Sequence, residues 1–233
     1  MMYEVYGLGF YARKLSIHHN YQRCIAVHNS HGLMIYDNVA FDTIGHCYFL
    51  EDGGERGNTF DHNLGILARV GSLIPSDAKP TNFWITNPNN TFTNNVAASA
   101  TFGFWFSLPT HPTGASVGDY NTSDTVWPSK TPLALFKNNV AHSHDRNGLM
   151  VDEMLQPDGS TPLGSYSPQT APYNSSTSGA PIMATFENTL VYKCRDHGVW
   201  TRGAYLRVLN TIALDNQNGM LCVSLITMAT CNG

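Results

Sequence analysis

Phe92-Thr93-Asn94-Asn95-Val96-Ala97 and Phe136-Lys137-Asn138-Asn139-Val140-Ala141 are two copies of one short pattern: an apolar residue, a variable one, two polar turn-formers, an apolar residue and a small one. Further copies are Ile35-Tyr36-Asp37-Asn38-Val39-Ala40 and Phe60-Asp61-His62-Asn63-Leu64-Gly65. Weaker ones are Ile17-His18-His19-Asn20-Tyr21, Phe186-Glu187-Asn188-Thr189-Leu190-Val191 and Val208-Leu209-Asn210-Thr211-Ile212-Ala213. The interval between copies varies widely, from 18 residues (Asn20 to Asn38) to 50 (Asn139 to Thr189). Helical repeats tolerate such variation poorly, because each unit must present a fixed apolar face. A β-solenoid absorbs it, since only the short strands stack and the rest of each turn bulges outward.

A second motif follows most copies: Gly45-His46-Cys47-Tyr48-Phe49, Gly103-Phe104-Trp105-Phe106, Gly148-Leu149-Met150-Val151, Gly198-Val199-Trp200 and Gly219-Met220-Leu221-Cys222. Each is a brief β-prone run behind a glycine that can turn a corner. Asn suits the corner between the two polar positions, because it tolerates the left-handed region and bonds local backbone with its amide. Stacked rungs ~4.8 Å apart place equivalent Asn side chains in a ladder. The expectation is an all-β, right-handed parallel β-helix of about seven rungs, forming one domain over residues 1–233. The Pro-, Ser-, Thr- and Gly-rich stretches 110–131 and 156–181 read as surface insertions between rungs.

Composition fits this architecture. Of 233 residues, 42% are hydrophobic and only 13% charged, about half the usual share, with a net charge of −4. Asn, Ser, Thr and Gly supply the polarity instead. Basic residues do not cluster, so nucleic acid is not an expected partner. No apolar run approaches the ~20 residues of a bilayer-spanning helix. The start shows neither a basic region nor an apolar one of signal-peptide type. The cysteines Cys24, Cys47, Cys194, Cys222 and Cys231 have no zinc-site spacing. Their odd number fits either a reduced cytosolic protein or a secreted one cut from a longer chain.

Several strings resemble a known family. They include Ser16-Ile17-His18-His19, Gly45 to Gly53, Asn58 to Gly65, Phe83 to Asn90, Gly103 to Phe106 and Asp196 to Gly203. In content and order these are similar to the β-helix region shared by the cell migration-inducing and hyaluronan-binding protein, the cell-surface hyaluronidase and fibrocystin-L. The resemblance runs from about Lys14 to Ser224. It implies an extracellular or cell-surface protein whose partner is hyaluronan or a related acidic glycan. It also implies a piece truncated at its N-terminus and its C-terminus, because parts of the family upstream of these strings have no counterpart here. Two readings follow: a glycosidase acting on hyaluronan, not active as this fragment alone, or a non-catalytic receptor segment binding glycan or protein.

Candidate chemistry falls into two groups. Aligned on the repeat, His19, Asp37 and His62 occupy one position in three successive rungs, where they would hold a divalent cation such as calcium or orient a base, or else serve as plain turn residues. Glu51 and Asp52 follow one Gly-led strand, Asp152 and Glu153 another, and Arg202 a third. Glu51, Asp52 and Asp152 are the candidate catalytic carboxylates, since glycosidic cleavage needs an acid and a base or nucleophile a few ångströms apart. Arg202, Trp105 and His46 are the candidate substrate-binding residues, with an internal salt bridge for Arg202 and core packing for Trp105 as the alternatives. Asp61-His62 and Asp196-His197, adjacent along strands, are expected to face opposite ways rather than form dyads. Asn89, Asn121 and Asn174 open Asn-x-Ser/Thr acceptors for glycosylation.

Overall fold

The computed structural model describes residues 5–6, 9–117, 125–171, 179–224 and 230–232. Its chain winds through three parallel sheets, one strand of each per turn. The first sheet stacks Tyr11–Arg13, Met34–Tyr36, Thr59–Asp61, Thr91–Thr93, Leu135–Lys137, Ala184–Glu187, Leu206–Leu209 and Thr230–Asn232. The second stacks Ser16–Asn20, Val39–Ile44, Leu64–Arg69, Val96–Ala98, Val140–His142, Leu190–Tyr192 and Ile212–Leu214. The third stacks Ile25–Val27, Tyr48–Leu50, Thr81–Ile85, Phe102–Phe106, Leu149–Val151, His197–Gly203 and Asn218–Ser224. Seven rungs of a right-handed parallel β-helix result, as the repeat implies.

Register explains the repeat. Ile35, Phe60, Phe92, Phe136, Phe186 and Val208 are paired in sequence along the first sheet and point inward. Ala40, Gly65, Ala97, Ala141 and Val191 do the same on the second. Large residues on one wall therefore face small ones on another, which lets the aromatic rings stack: Phe60 on Phe92 at 4.9 Å, and Tyr48 on Phe83 and Phe83 on Phe104 at 4.7 and 4.6 Å. Glycine 65 is required to be small, since a Cβ there would meet Asn82 at 3.2 Å.

Between the first and second sheets each rung turns through a left-handed residue: Lys14, Asp37, His62, Asn94, Asn138, Asn188 and Asn210 have φ between 49° and 58°. The next residue points inward. Asn38, Asn63, Asn95 and Asn139 are buried, and each side-chain N–H donates to the oxygen of the following one, at 2.9, 3.0 and 3.1 Å. The same amides also donate to the carbonyls of Ala12, Ile35, Phe60 and Phe92. A second left-handed column, His19, Asp42, Leu67, Ser99, Ser143, Lys193 and Asp215, marks the far edge of the second sheet.

These columns correct the first rung. Ala12 pairs with Ile35 and Ser16 with Val39, so the first copy is Ala12-Arg13-Lys14-Leu15-Ser16-Ile17, five residues before the string that imitates it. Small Ala12 and apolar Leu15 disguise the pattern, whereas Ile17-His18-His19-Asn20 displays it by accident of composition.

Outside the third sheet lies a second apolar cluster of Phe49, Trp84, Phe102, Trp105, Met150 and Leu155, with Ile74 and Trp200 against it. Cys24 and Cys47 are disulfide-bonded between adjacent rungs, Cys222 is also in a disulfide, and Cys194 is free and buried. Asn89 is exposed at the corner after the third sheet, whereas Asn121 and Asn174 lie outside the described residues.

Interrupting the Asn ladder will strand several buried partners at once. Asn95→Leu is expected to destabilise the chain by about 2–4 kcal/mol in urea unfolding, whereas Asn94→Gly, at the exposed left-handed position, stays within about 1 kcal/mol.

Candidate functional site

The Gly-led strands of the third sheet all end at one corner. With Phe49, Trp84, Trp105, Met150 and Trp200 in register, the residues two positions later, Glu51, Thr86, Ser107, Asp152 and Arg202, form a column there. The two long insertions, 107–134 and 152–183, leave from this same corner. The expectation that rung stacking gathers the acidic residues is met in direction but not in distance. Glu51 and Asp152 are separated by three rungs, or roughly 14 Å at ~4.8 Å each. That exceeds the separation at which two carboxylates flank a glycosidic bond.

The two ends of the column differ in character. Asp152 is fully buried, and one of its oxygens accepts from Arg202 Nε at 2.7 Å and Trp200 Nε1 at 2.8 Å. The other accepts backbone N–H groups of Glu153 and Gly164. Neighbouring Glu153 takes Lys79 at 2.5 Å and Arg146 at 3.5 Å. Arg202 is thus held by an internal salt bridge, and its Nε is not free for a substrate. Trp105 is buried and donates to the Asp152 carbonyl at 3.0 Å, so no sugar can reach its ring.

His46 is likewise interior. It lies against Trp84 with ring centroids 4.3 Å apart, accepts from the Thr81 amide through Nδ1, and places Nε2 3.0 Å from Ser76 Oγ. Burial holds its pKa well below the ordinary imidazole value, so the ring is neutral and Nε2 carries the proton. Beside it, Asp77 takes a two-pronged salt bridge from Arg23 at 2.7 and 3.3 Å.

At the other end, Glu51 is partly exposed and in contact with His28. Asp52 points inward and clamps the first insertion: it accepts from Ser116 Oγ at 2.8 Å and Ser116 N at 3.1 Å, while its carbonyl accepts from Thr113 N. Glu55, which the sequence did not single out, is buried beside it, accepting from the Asn29 and Asp52 amides. Desolvation, and then the Asp52 charge, push its pKa up to about 7. A carboxyl between glycines in a turn carries no sequence signal of burial, and the same holds for Asp77, whose partner Arg23 is 54 residues away.

The metal candidates do not converge. Asp37 Oδ1 and His62 Nδ1 meet at 2.7 Å on an exposed corner. The corrected register puts His19 in the second left-handed column instead, where Nε2 is 3.9 Å from Asp42. Among the described residues no group of three or more His, Cys, Asp or Glu side chains is arranged to hold a metal ion. Asp61 and His62 diverge as expected, Asp61 turning to Thr93 and Asn94. Asp196 and His197 do not: Oδ1 and Nδ1 lie 2.6 Å apart because Asp196 precedes the strand, where alternation does not apply.

Two sheet faces are left open, the mainly apolar outer face of the second sheet and that of the first. The outer face of the first sheet presents Tyr11, Met34, Thr59, Thr91 and Leu135 in one row along the solenoid axis and Arg13, Tyr36, Asp61, Thr93 and Lys137 in a second, all at least partly exposed.

A family model described as CEMIP beta-helix matches residues 1–82 and 77–149. The human cell migration-inducing and hyaluronan-binding protein is 37% identical over 92% of the chain, and the human cell surface hyaluronidase CEMIP2 is 34% identical over 90%. Mouse fibrocystin-L is 36% identical over 88%. The chain spans 18%, 17% and 4% of these three proteins.

Asp152→Asn strips Arg202 of its charge partner in a largely buried site. It is expected to cost about 3–5 kcal/mol, of which Arg202→Met in the double variant returns a substantial part, as thermal and urea unfolding would measure. Glu55 supplies a pH signature. Because its folded pKa is raised, its contribution to stability is complete below the ordinary carboxylate pKa and lost as pH climbs to about 7. The melting-temperature difference between wild type and Glu55→Gln should therefore move in favour of wild type as pH falls across that window.

Proposed function

This chain belongs to the CEMIP beta-helix family, and from that premise we propose that it is a glycan-holding section of an extracellular hyaluronan-binding protein, binding hyaluronan or a related acidic glycan without cleaving it unaided. The observation that supports binding over cleavage is the use made of the carboxylates. Asp52, Asp152 and Glu153 are each tied into the corner by buried hydrogen bonds or salt bridges. A glycosidase needs a proton donor and a base or nucleophile that face one sugar bond. Glu51 alone of the candidate set faces solvent, and its contact is His28. The open face of the first sheet offers the extended, hydroxyl- and aromatic-lined surface that a linear sugar chain fits.

Disulfide bonding of Cys24, Cys47 and Cys222 supports an oxidising compartment, in keeping with a protein of the cell surface or exterior. No helix among the described residues is long and apolar enough to cross a membrane.

The test uses the whole chain and high-molecular-mass hyaluronan, from acidic to neutral pH, with calcium or with a chelator. Retention on immobilised hyaluronan, with the polymer's size distribution unchanged, is the expected result. Shortening of the polymer would refute the non-cleaving part, and Glu51→Gln would then show whether Glu51 is responsible. Failure to bind hyaluronan or any other acidic glycan would remove the reading altogether.

A further inference from the structure

Among the described residues, seven of the chain's thirteen Lys and Arg residues pair with carboxylates. Arg23, Arg69, Lys79, Lys137, Arg146, Arg195 and Arg202 each lie within salt-bridge distance of a carboxylate. Arg13 does not. It stands on the outer face of the first sheet, in the first rung, with its side chain exposed. Its guanidinium carbon is 5.0 Å from the Tyr11 ring centroid and 6.0 Å from that of Tyr36, and NH1 donates to the Tyr36 hydroxyl at 3.1 Å. The two rings are 6.4 Å apart and inclined at 54°, one on each of two neighbouring strands. Tyr11 is 60% exposed, one of four exposed aromatic residues with Phe10, Tyr21 and Phe41 among the described residues, and it alone of these lies on the outer face of the first sheet.

Sequence position dictates this grouping. Tyr11 and Arg13 alternate outward from one strand, and Tyr36 is the register partner of Arg13 on the next. A salt-bridged arginine would be a surface ornament of small effect. An arginine without a carboxylate partner, braced by a phenol and flanked by two ring faces, is instead a preorganised anion receptor. Four of its five N–H donors are not used by the Tyr36 hydroxyl, and their planar fork matches a carboxylate. Lys14, next in the chain and at the left-handed corner, adds a second positive charge beside it. Asp37, on the neighbouring rung, bonds His62 at 2.7 Å and lies beyond salt-bridge distance of Arg13, although its charge also acts on the guanidinium.

We propose that Arg13, Tyr11 and Tyr36 form a subsite for a uronate-bearing sugar unit, the guanidinium taking the carboxylate and the tyrosine rings the apolar face of the pyranose. The proposal rests on the acidic-glycan reading above and locates one contact of it. Beyond this anchor the row of Tyr11 continues with Met34 and the hydroxyls of Thr59 and Thr91, whereas the row of Arg13 and Tyr36 continues with Asp61, whose carboxylate takes the Thr93 hydroxyl and the Asn94 amide. The sugar chain therefore runs along the solenoid axis over the Thr59 and Thr91 hydroxyls, on the side away from Asp61.

The experiment measures binding of the whole chain to a hyaluronan octasaccharide, a sulfated chondroitin octasaccharide and a neutral glucan of the same length by calorimetry. Wild type should bind the hyaluronan octasaccharide and not the glucan. Arg13→Ala should weaken binding about 10- to 100-fold, the worth of a charge-assisted hydrogen-bond pair. Arg13→Lys should fall between the two, since it keeps the charge and loses the fork. Arg195→Ala, an exposed arginine on another corner, should bind as wild type. Unfolding curves will match in every case, because these side chains face solvent. If wild type binds hyaluronan and Arg13→Ala binds equally well, the subsite is wrong and the broader reading stands. If wild type binds neither acidic octasaccharide, both fall. A preference for the sulfated chain that Arg13→Ala abolishes would overturn the carboxylate assignment.

Discussion

The structure depends on one constraint: every rung must turn a corner through a left-handed residue, and the backbone groups released there must be bonded inside the solenoid. The Asn38, Asn63, Asn95 and Asn139 ladder meets it. Each of the two interior amides, Asn63 and Asn95, receives a backbone N–H and the preceding amide at its oxygen, and donates to a carbonyl and to the next amide at its nitrogen. All its hydrogen-bonding capacity is thereby engaged, which is what allows a primary amide to sit in an apolar interior. Where Thr189 and Thr211 replace Asn, their hydroxyls donate back to Glu187 and Leu209 carbonyls at 3.5 and 3.4 Å, a longer and less connected arrangement.

Charge then follows from geometry. A solenoid satisfied by amides and hydroxyls needs few ions, and the buried ones among them are gathered where loops cross the outside of the third sheet. Arg23 with Asp77, Lys79 and Arg146 with Glu153, and Arg202 with Asp152 all border the outer cluster of Trp84, Trp105 and Phe102. Arg23 and Arg146 also lie over the rings of Phe49 and Phe102 at 4.1 and 5.1 Å. These pairs fasten insertions to an apolar wall. Their conspicuousness in a chain with only 13% charged residues is a consequence of that fastening.

This is why the fold was readable in the sequence and the site was not. The inward pattern of Phe, Asn and Ala repeats because stacked rungs impose the same environment at each turn, so residue identity reports position. The first rung escaped because Ala12 and Leu15 satisfy that environment with different side chains, and the error carried His19 five residues out of register. Asp152 and Arg202 were legible as neighbours on one corner, but not as a buried pair, because the roof over them comes from loops with no repeat. Glu55 was invisible for a related reason. Its burial depends on Asn29 and Asp52, and a Gly-Gly-Glu turn looks the same whether solvent or protein lies beyond it.

The placement of the insertions also divides the surface into two kinds. Both long insertions leave from the corner after the third sheet, and the segments around Ile74 and Leu155 close over that sheet's outer residues. The second sheet's outer face carries mainly apolar residues such as Val39, Phe41, Ile212 and Leu214. The first sheet differs from both. Its outward positions are mostly Tyr, Arg, Thr, Asp, Lys and Glu, with Met34 and Leu135 among them, where the outward row of the second sheet is largely Val, Leu and Ile. Stability is a small part of the reason, since an exposed cross-strand tyrosine pair with an arginine contributes only about 0.5–1 kcal/mol. Solubility does not explain it, for hydroxyls and isolated charges would serve that end without aromatic rings. A rigid face with evenly spaced rows of polar and aromatic groups is a surface suited to a ligand with its own linear repeat.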